Sequence, residues 1–189
     1  MLDFKDVSEK NKCNLIEQNN YLIILDVGCG TSLFSYDLKN TLDTSSFLVC
    51  VDFSDNALEM IKKKHESQKT NINTKDSIDY VKCDCKRLPF RNDIYDLIIE
   101  KGYLDSVLKG ENNVDSIKNF LISTNNIVEK LNIKRYSCLL SITDETPESR
   151  LSLLDELDQS NYKLSLNYKE IILQNNTILF VYYLYKIKR

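Results

Sequence analysis

Glycine is scarce in this chain. Its 189 residues hold four, and all four fall in two short segments, Gly28 and Gly30 within Leu25–Ser32 and Gly102 and Gly110 within Ile98–Gly110. Glycine is needed where the backbone takes positive φ or lets a ligand touch the main chain, and it costs stability elsewhere. Those two segments are the first candidates for a site. Histidine is scarcer still: the single His65 lies among Lys and Glu and reads as an exposed helix residue. The six cysteines (13, 29, 50, 83, 85, 138) show no paired metal spacing, and Cys83 and Cys85 are one residue apart. Most are embedded in apolar runs, so they read as reduced thiols of a cytoplasmic protein, and no metal is expected. Apolar runs are no longer than a strand, and the first residues carry Asp3, Lys5, Asp6 and Glu9, so neither a membrane span nor a secretory signal is expected. A basic stripe is also missing. Net charge is −3, and the basic residues are scattered apart from Lys62–Lys64 and Lys186–Arg189, which counts against nucleic acid as the main partner. The triple lysine reads as a solvated helix face.

What is present suits one domain over 1–189, with 1–21 a short extension that is helical over 8–19. A chain of this length buries roughly 70% of the surface it would expose unfolded. Leu22–Val27 is a short apolar run ending at Gly28, as expected of a strand buried on both faces. Thr31 or Ser32 caps a helix striped by Leu33, Phe34 and Leu38. Phe47–Val51 is a second strand, closed by Asp52, and Ser54 and Asp55 open a helix that runs to the lysines. Ser77–Cys83 and Tyr95–Ile99 are the third and fourth strands. Helices over 104–109 and 114–131 precede a fifth strand at Ser137–Thr143, and Asn132 is expected to make the left-handed turn before it. Thr143–Ser149 is linker-like, Pro147 starts a helix, and Tyr162–Leu173 with Thr177–Ile187 form a hairpin around Asn175-Asn176. Strands alternating with helices imply an α/β fold, a mostly parallel sheet covered on both sides with an antiparallel element at the end.

In such a sheet the ligand lies beyond the carboxyl ends of the strands. Gly28, Gly30, Asp52, Asp84 and Glu100 all fall there. The two glycines let the main chain approach a ligand, and the next helix offers free N–H groups. A dinucleotide fingerprint wants a third glycine where Leu33 stands, so a pyrophosphate cofactor is disfavoured. Asp52 is placed to accept from a ribose diol, with Phe53 covering an adenine face; alone, the pair would equally read as a helix cap and a core side chain. Asp84 can accept from an adenine amino group beside the Cys85 backbone, or serve as a turn aspartate. Three coincidences at three successive strand ends favour the ligand.

These residues resemble the class I S-adenosylmethionine-dependent methyltransferases, with Leu25-Asp26-Val27-Gly28-Cys29-Gly30 as the first motif and Asp52, Asp84 and Asp96–Glu100 as later ones. The segment Ile99-Glu100-Lys101-Gly102-Tyr103-Leu104-Asp105-Ser106-Val107-Leu108 is similar to the signature of the eukaryotic protein-lysine methyltransferases of elongation factor 1-alpha, the methyltransferase-like thirteen and endothelin-converting-enzyme-2-linked group. The resemblance implies a Rossmann-like seven-stranded sheet and S-adenosylmethionine as cofactor. It also implies cofactor contacts from Asp26, Gly28, Gly30, Asp52, Phe53, Asp84, Cys85, Glu100 and Lys101, and catalytic roles for Glu100, facing the methionine end, and Tyr103. Two departures stand out. Tyr103 replaces a threonine at the mouth of the site, and the family's longer aromatic segment before the first motif is not matched by Phe4 and Tyr21. The expected activity is protein-lysine methylation, with elongation factor 1-alpha or a similar protein as partner. Two rivals are a non-catalytic cofactor-binding scaffold that has lost its lid and a small-molecule methyltransferase, which Leu88-Pro89-Phe90 also resembles.

Overall fold

The computed structural model describes residues 20–42, 44–68, 77–109, 113–157, 163–173 and 175–187. The expected helix over 8–19 lies outside them. Seven strands form one sheet: β1 (Tyr21–Val27), β2 (Ser45–Asp52), β3 (Ser77–Lys82), β4 (Leu97–Lys101), β5 (Cys138–Thr143), β6 (Lys163–Ile172) and β7 (Ile178–Ile187). Their spatial order is β3-β2-β1-β4-β5-β7-β6. The first five are mutually parallel, and β7 runs antiparallel to both β5 and β6. This is the mostly parallel sheet with an antiparallel end that the sequence implies.

Both faces are covered. Helices α1 (Phe34–Asn40) and α2 (Asp55–Gln68) pack Leu38, Leu58 and Ile61 against Ile24, Leu48 and Ile99. On the other face α3 (Tyr103–Leu108), α4 (Asn113–Lys130) and α5 (Pro147–Asp155) bring Leu104, Phe120, Ile127 and Leu154 onto Val27, Ile98 and Leu139. The central strands read as continuous apolar runs because alternate side chains feed two cores. Tyr95, expected in the fourth strand, stands just outside it and makes a single bridge to Leu131.

Four local expectations are corrected. His65 is fully buried, with Nδ1 2.6 Å from the Tyr80 hydroxyl and its ring stacked on Tyr36. Lys64 leaves the solvated face to donate to the Thr31 carbonyl at 2.6 Å. Asn132 does not take the left-handed conformation: among the described non-glycine residues only Asp93 and Asn176 have positive φ. Asn132 shapes its turn with its side chain instead, accepting from Lys134 N at 2.9 Å, while its carbonyl accepts from Ser137 Oγ at 2.8 Å. The stretch expected to be a linker is an ordered corner, with Thr143 Oγ1 accepting from Glu145 N at 3.0 Å. No helix among the described residues is long and apolar enough to cross a membrane.

Candidate functional site

The strand order reverses between β1 and β4, so crossovers leave the sheet in opposite directions and open a crevice at the carboxyl ends. Asp52 organises one side of it. Its Oδ2 accepts from Gly30 N and its Oδ1 from Ser54 N, each at 2.9 Å, and its carbonyl accepts from Cys83 N at 3.0 Å. One residue at the end of β2 thus fixes the turn after β1, the start of α2 and the end of β3. The Lys64 tether to Thr31 and a bond from Cys29 N to Val51 O at 3.0 Å hold the glycine turn from behind. After β3, Asp84 Oδ1 accepts from Lys86 N at 2.9 Å and starts a 3-10 turn over Cys85–Arg87. Asn126 of α4 ties that turn down by donating to the Lys86 carbonyl at 3.1 Å.

A cavity of about 600 Å³ lies above these turns, lined by Gly28, Asp52, Phe53, Asp84, Cys85, Lys101 and Tyr103 among others. Seven of the residues expected at the site therefore meet on one wall. Lys86, Gly102, Ser106, Val107, Asp115, Ser116 and Asn119 complete it. Gly102, Ser106 and Val107 belong to the Ile99–Leu108 segment, whereas Asp115, Ser116 and Asn119, on the first turns of α4, carry no motif and are brought in only by the fold. Phe53 is 77% exposed, its ring free to cover a flat ligand.

Asp26, Gly30 and Glu100 do not line the cavity. Asp26 is buried and accepts from Ser35 Oγ at 2.5 Å. Burial pushes its carboxyl pKa up to about 6, against the opposing pull of that hydroxyl and of Lys101. Glu100 is fully buried, with one carboxylate oxygen accepting from Leu104 N at 3.1 Å and the other from Ser141 Oγ. Burial raises its pKa to about 7, opposed by Ser141, Leu104 N and Arg150. With both oxygens engaged, Glu100 caps α3 rather than facing the cavity.

Tyr103 is the largest side chain at the turn after β4. A Cβ on Gly28, whose φ is +64°, would lie 2.8 Å from the Tyr103 Cβ and 3.0–3.1 Å from its ring. The glycine is thus required by the tyrosine as well as by its left-handed backbone. The Tyr103 hydroxyl is buried beside that of Ser123. Burial pushes the Tyr103 phenol above its usual range.

The residues present fit an adenosyl sulfonium ligand. Asp52 offers free lone pairs on a carboxylate already oriented by two backbone donors, Asp84 offers a second acceptor, and Phe53 an uncovered aromatic face. No heavy atom lies within 4 Å of where a Cβ on Gly30 would sit, so the glycine turn has an open side. Among the described residues no group of three His, Cys, Asp or Glu side chains could hold a metal ion.

Known proteins agree with this fit. A family model described as a methyltransferase domain matches residues 24–119. The mitochondrial citrate synthase-lysine N-methyltransferase of Danio rerio is 27% identical over 139 residues, 71% of this chain and 52% of that protein. Demethylmenaquinone methyltransferase of Lactococcus lactis is 31% identical over 77 residues, 41% of this chain and 29% of that protein. The chain thus spans about half the length of the first relative and under a third of the second. Among solved structures, a SAM-dependent methyltransferase from Methanosarcina mazei matches with a TM-score of 0.65 at 13% identity, covering 90% of this chain and 95% of that one, a likeness of fold alone.

Proposed function

From the premise that this chain belongs to the methyltransferase-domain family, with S-adenosylmethionine as the implied cofactor, we propose that it methylates lysine side chains of a protein, elongation factor 1-alpha or a similar one. The observation that carries this reading is the segment Glu100–Leu108, similar to the lysine-methyltransferase signature, whose Lys101, Gly102, Tyr103, Ser106 and Val107 stand on the cavity wall. A relative acting on a lysine of citrate synthase supports the same substrate chemistry.

When bound, the cofactor supplies an electrophilic methyl group on a sulfonium. The chain's own task is to position and dehydrate. Asp52 anchors the sugar hydroxyls, Phe53 and Cys85 bracket the base, and Asp84 accepts from its amino group. An in-line nucleophile then needs little beyond placement. A lysine amine carries a further handicap: with an ordinary pKa near 10.4, its neutral form costs roughly 4 kcal/mol near neutral pH. Apolar surface from Tyr103 and Val107 favours the neutral amine, whereas carboxylates alone would hold it as ammonium. Glu100 fixes the first turn of α3.

A small-molecule acceptor is the second reading. The Lactococcus lactis relative, which acts on a quinone, and the bulky Tyr103 at the place of a threonine favour it. Incubation with radiolabelled cofactor and purified elongation factor 1-alpha or a cell lysate separates the two. A labelled protein band that disappears when the lysines are blocked supports the first reading. Label only in extractable small molecules supports the second, and cofactor binding without any transfer points to a scaffold.

A further inference from the structure

Arg150 is the largest fully buried side chain among the described residues, 1% exposed, and it lies outside the cavity wall. It projects from α5 to meet three other elements. Its Nη2 pairs with Asp105 Oδ1 of α3 and donates to Thr143 Oγ1 at the end of β5 at 3.2 Å. The guanidinium carbon lies 5.1 Å from the centroid of the Phe120 ring of α4. Its Nε and Nη1 have no hydrogen-bond partner among the described residues. Burying a guanidinium with two donors unsatisfied is costly, and core stability alone is served as well by an apolar side chain of similar volume. A role for the charge itself is therefore called for.

The partner of that charge indicates the role. Asp105, 7% exposed, folds back so that its Oδ2 lies 3.8 Å from where a Cβ on Gly102 would sit. Helix α3 has only six residues, too few to hold itself together. Two buried anchors fix it: Leu104 N on Glu100, and Asp105 on Arg150. Tyr103, at the head of this helix, presses against Gly28 and lines the cavity.

We propose that Arg150 is a positioning residue for the cavity: through Asp105 it holds α3, and so sets Gly102 and Tyr103 against the ligand. The proposal rests on the cofactor reading above for the identity of that ligand. Electroneutrality follows from the same arrangement. The groups facing Glu100 are Ser141 from β5, Leu104 N, Asp105 and Tyr103 from α3, and Arg150 from α5. With Glu100 protonated the buried cluster is a balanced Arg150–Asp105 pair; with Glu100 ionised it carries one uncompensated negative charge. Without Arg150 that negative charge grows, most of all on the alkaline side.

The test compares wild type, Arg150→Met, Arg150→Lys and the charge-balanced double variant Arg150→Met/Asp105→Asn. Hydrogen exchange of the α3 amides is followed without ligand, and S-adenosylhomocysteine binding is measured by calorimetry at pH 6 and pH 8. Arg150→Met is expected to raise α3 exchange about tenfold while β1 and β2 amides stay protected. It is also expected to weaken binding about tenfold at pH 8 and only about threefold at pH 6, where Glu100 holds its proton. The double variant restores the net charge of the cluster but not the Arg150–Asp105 anchor, so it is expected to recover only the pH-dependent part of the binding loss while α3 exchange stays raised, and Arg150→Lys falls between wild type and Arg150→Met. If Arg150→Met does not fold, the other two variants decide by the same measures. Unchanged α3 exchange in the folded variants overturns the proposal, as does a binding loss of the single variants that is equal at both pH values and proportional to the fall in melting temperature. Wild type that binds no S-adenosylhomocysteine overturns the cofactor reading, while the exchange measurement still decides the role of Arg150.

Discussion

Gly28 and Tyr103 share one small volume, so a substitution at either is felt at the other. Gly28→Ala meets a left-handed backbone, about 1–2 kcal/mol, and a collision with the tyrosine. Urea denaturation is expected to show a loss above about 2 kcal/mol, of which Tyr103→Thr in the same chain returns only the part due to the ring, because threonine keeps the Cβ 2.8 Å away, giving a non-additive double-mutant cycle. Strict additivity would mean that the two side chains do not compete. At Asp52 the expectation concerns binding. Asp52→Asn keeps the shape but not the charge, and charge-assisted hydrogen bonds contribute about 1.5–3 kcal/mol. Calorimetry with S-adenosylhomocysteine should therefore show about a 10–100-fold weaker complex, with a lowered melting temperature because the Asn amide cannot accept from both Gly30 N and Ser54 N. Asp52 and Asp84 were legible in the sequence because each closes an apolar run, and a strand end in a parallel sheet is a place with a known address. His65, Lys64 and Arg150 were not. Each is a polar residue whose burial depends on partners that chain order does not reveal: Tyr36 and Tyr80, the Thr31 carbonyl, and Asp105.

At the scale of elements, the strands were legible and the helices beside the cavity only in outline. β5 is buried along its whole length and β4 over four of its five residues, which is why both read as unbroken apolar runs. Ile99→Ala in β4 or Leu139→Ala in β5 should cost about 2–5 kcal/mol in chemical denaturation. On the edge strand β6, where Leu166 is only half-buried, Leu166→Ala should cost less than about 1.5 kcal/mol. Equal costs at the two places would contradict the layering. Helix α3 was expected one residue later than it begins, because Gly102 with its φ of +75° turns the chain straight from β4 into the helix. The cavity-lining face of α4 left no mark in the sequence, since Asp115, Ser116 and Asn119 look like any polar helix surface until the fold turns them inward.

For the molecule as a whole, two buried carboxyls set a dependence of stability on pH. Asp26 and Glu100 have folded pKa values of about 6 and about 7, above their ordinary 3.8 and 4.5. A raised folded pKa means that the folded state holds the proton more tightly. The stabilisation is complete below the ordinary values and is lost as pH rises through 6 and then 7. Each group, shifted by a little over two units, accounts for about 3 kcal/mol between those limits. Glu100→Gln mimics the protonated form and is expected to flatten the upper part of this decline. Between pH 6 and 8, wild type should lose more stability in denaturant titrations than the variant does, by about 1.4 kcal/mol. Parallel curves would show that Glu100 stays ionised throughout.

The cavity wall runs in sequence from Gly28 to Asn119, whereas the strands that flank the far side of β4, namely β5, β7 and β6, are all encoded after it. A ribosome therefore delivers the described cavity-lining side chains before it delivers the scaffold that shields one edge of β4. A nascent chain at that stage possesses every cavity-lining residue among those described yet presents an unpaired strand edge to its surroundings. Competence to capture ligand is thus encoded ahead of the strands that make it durable.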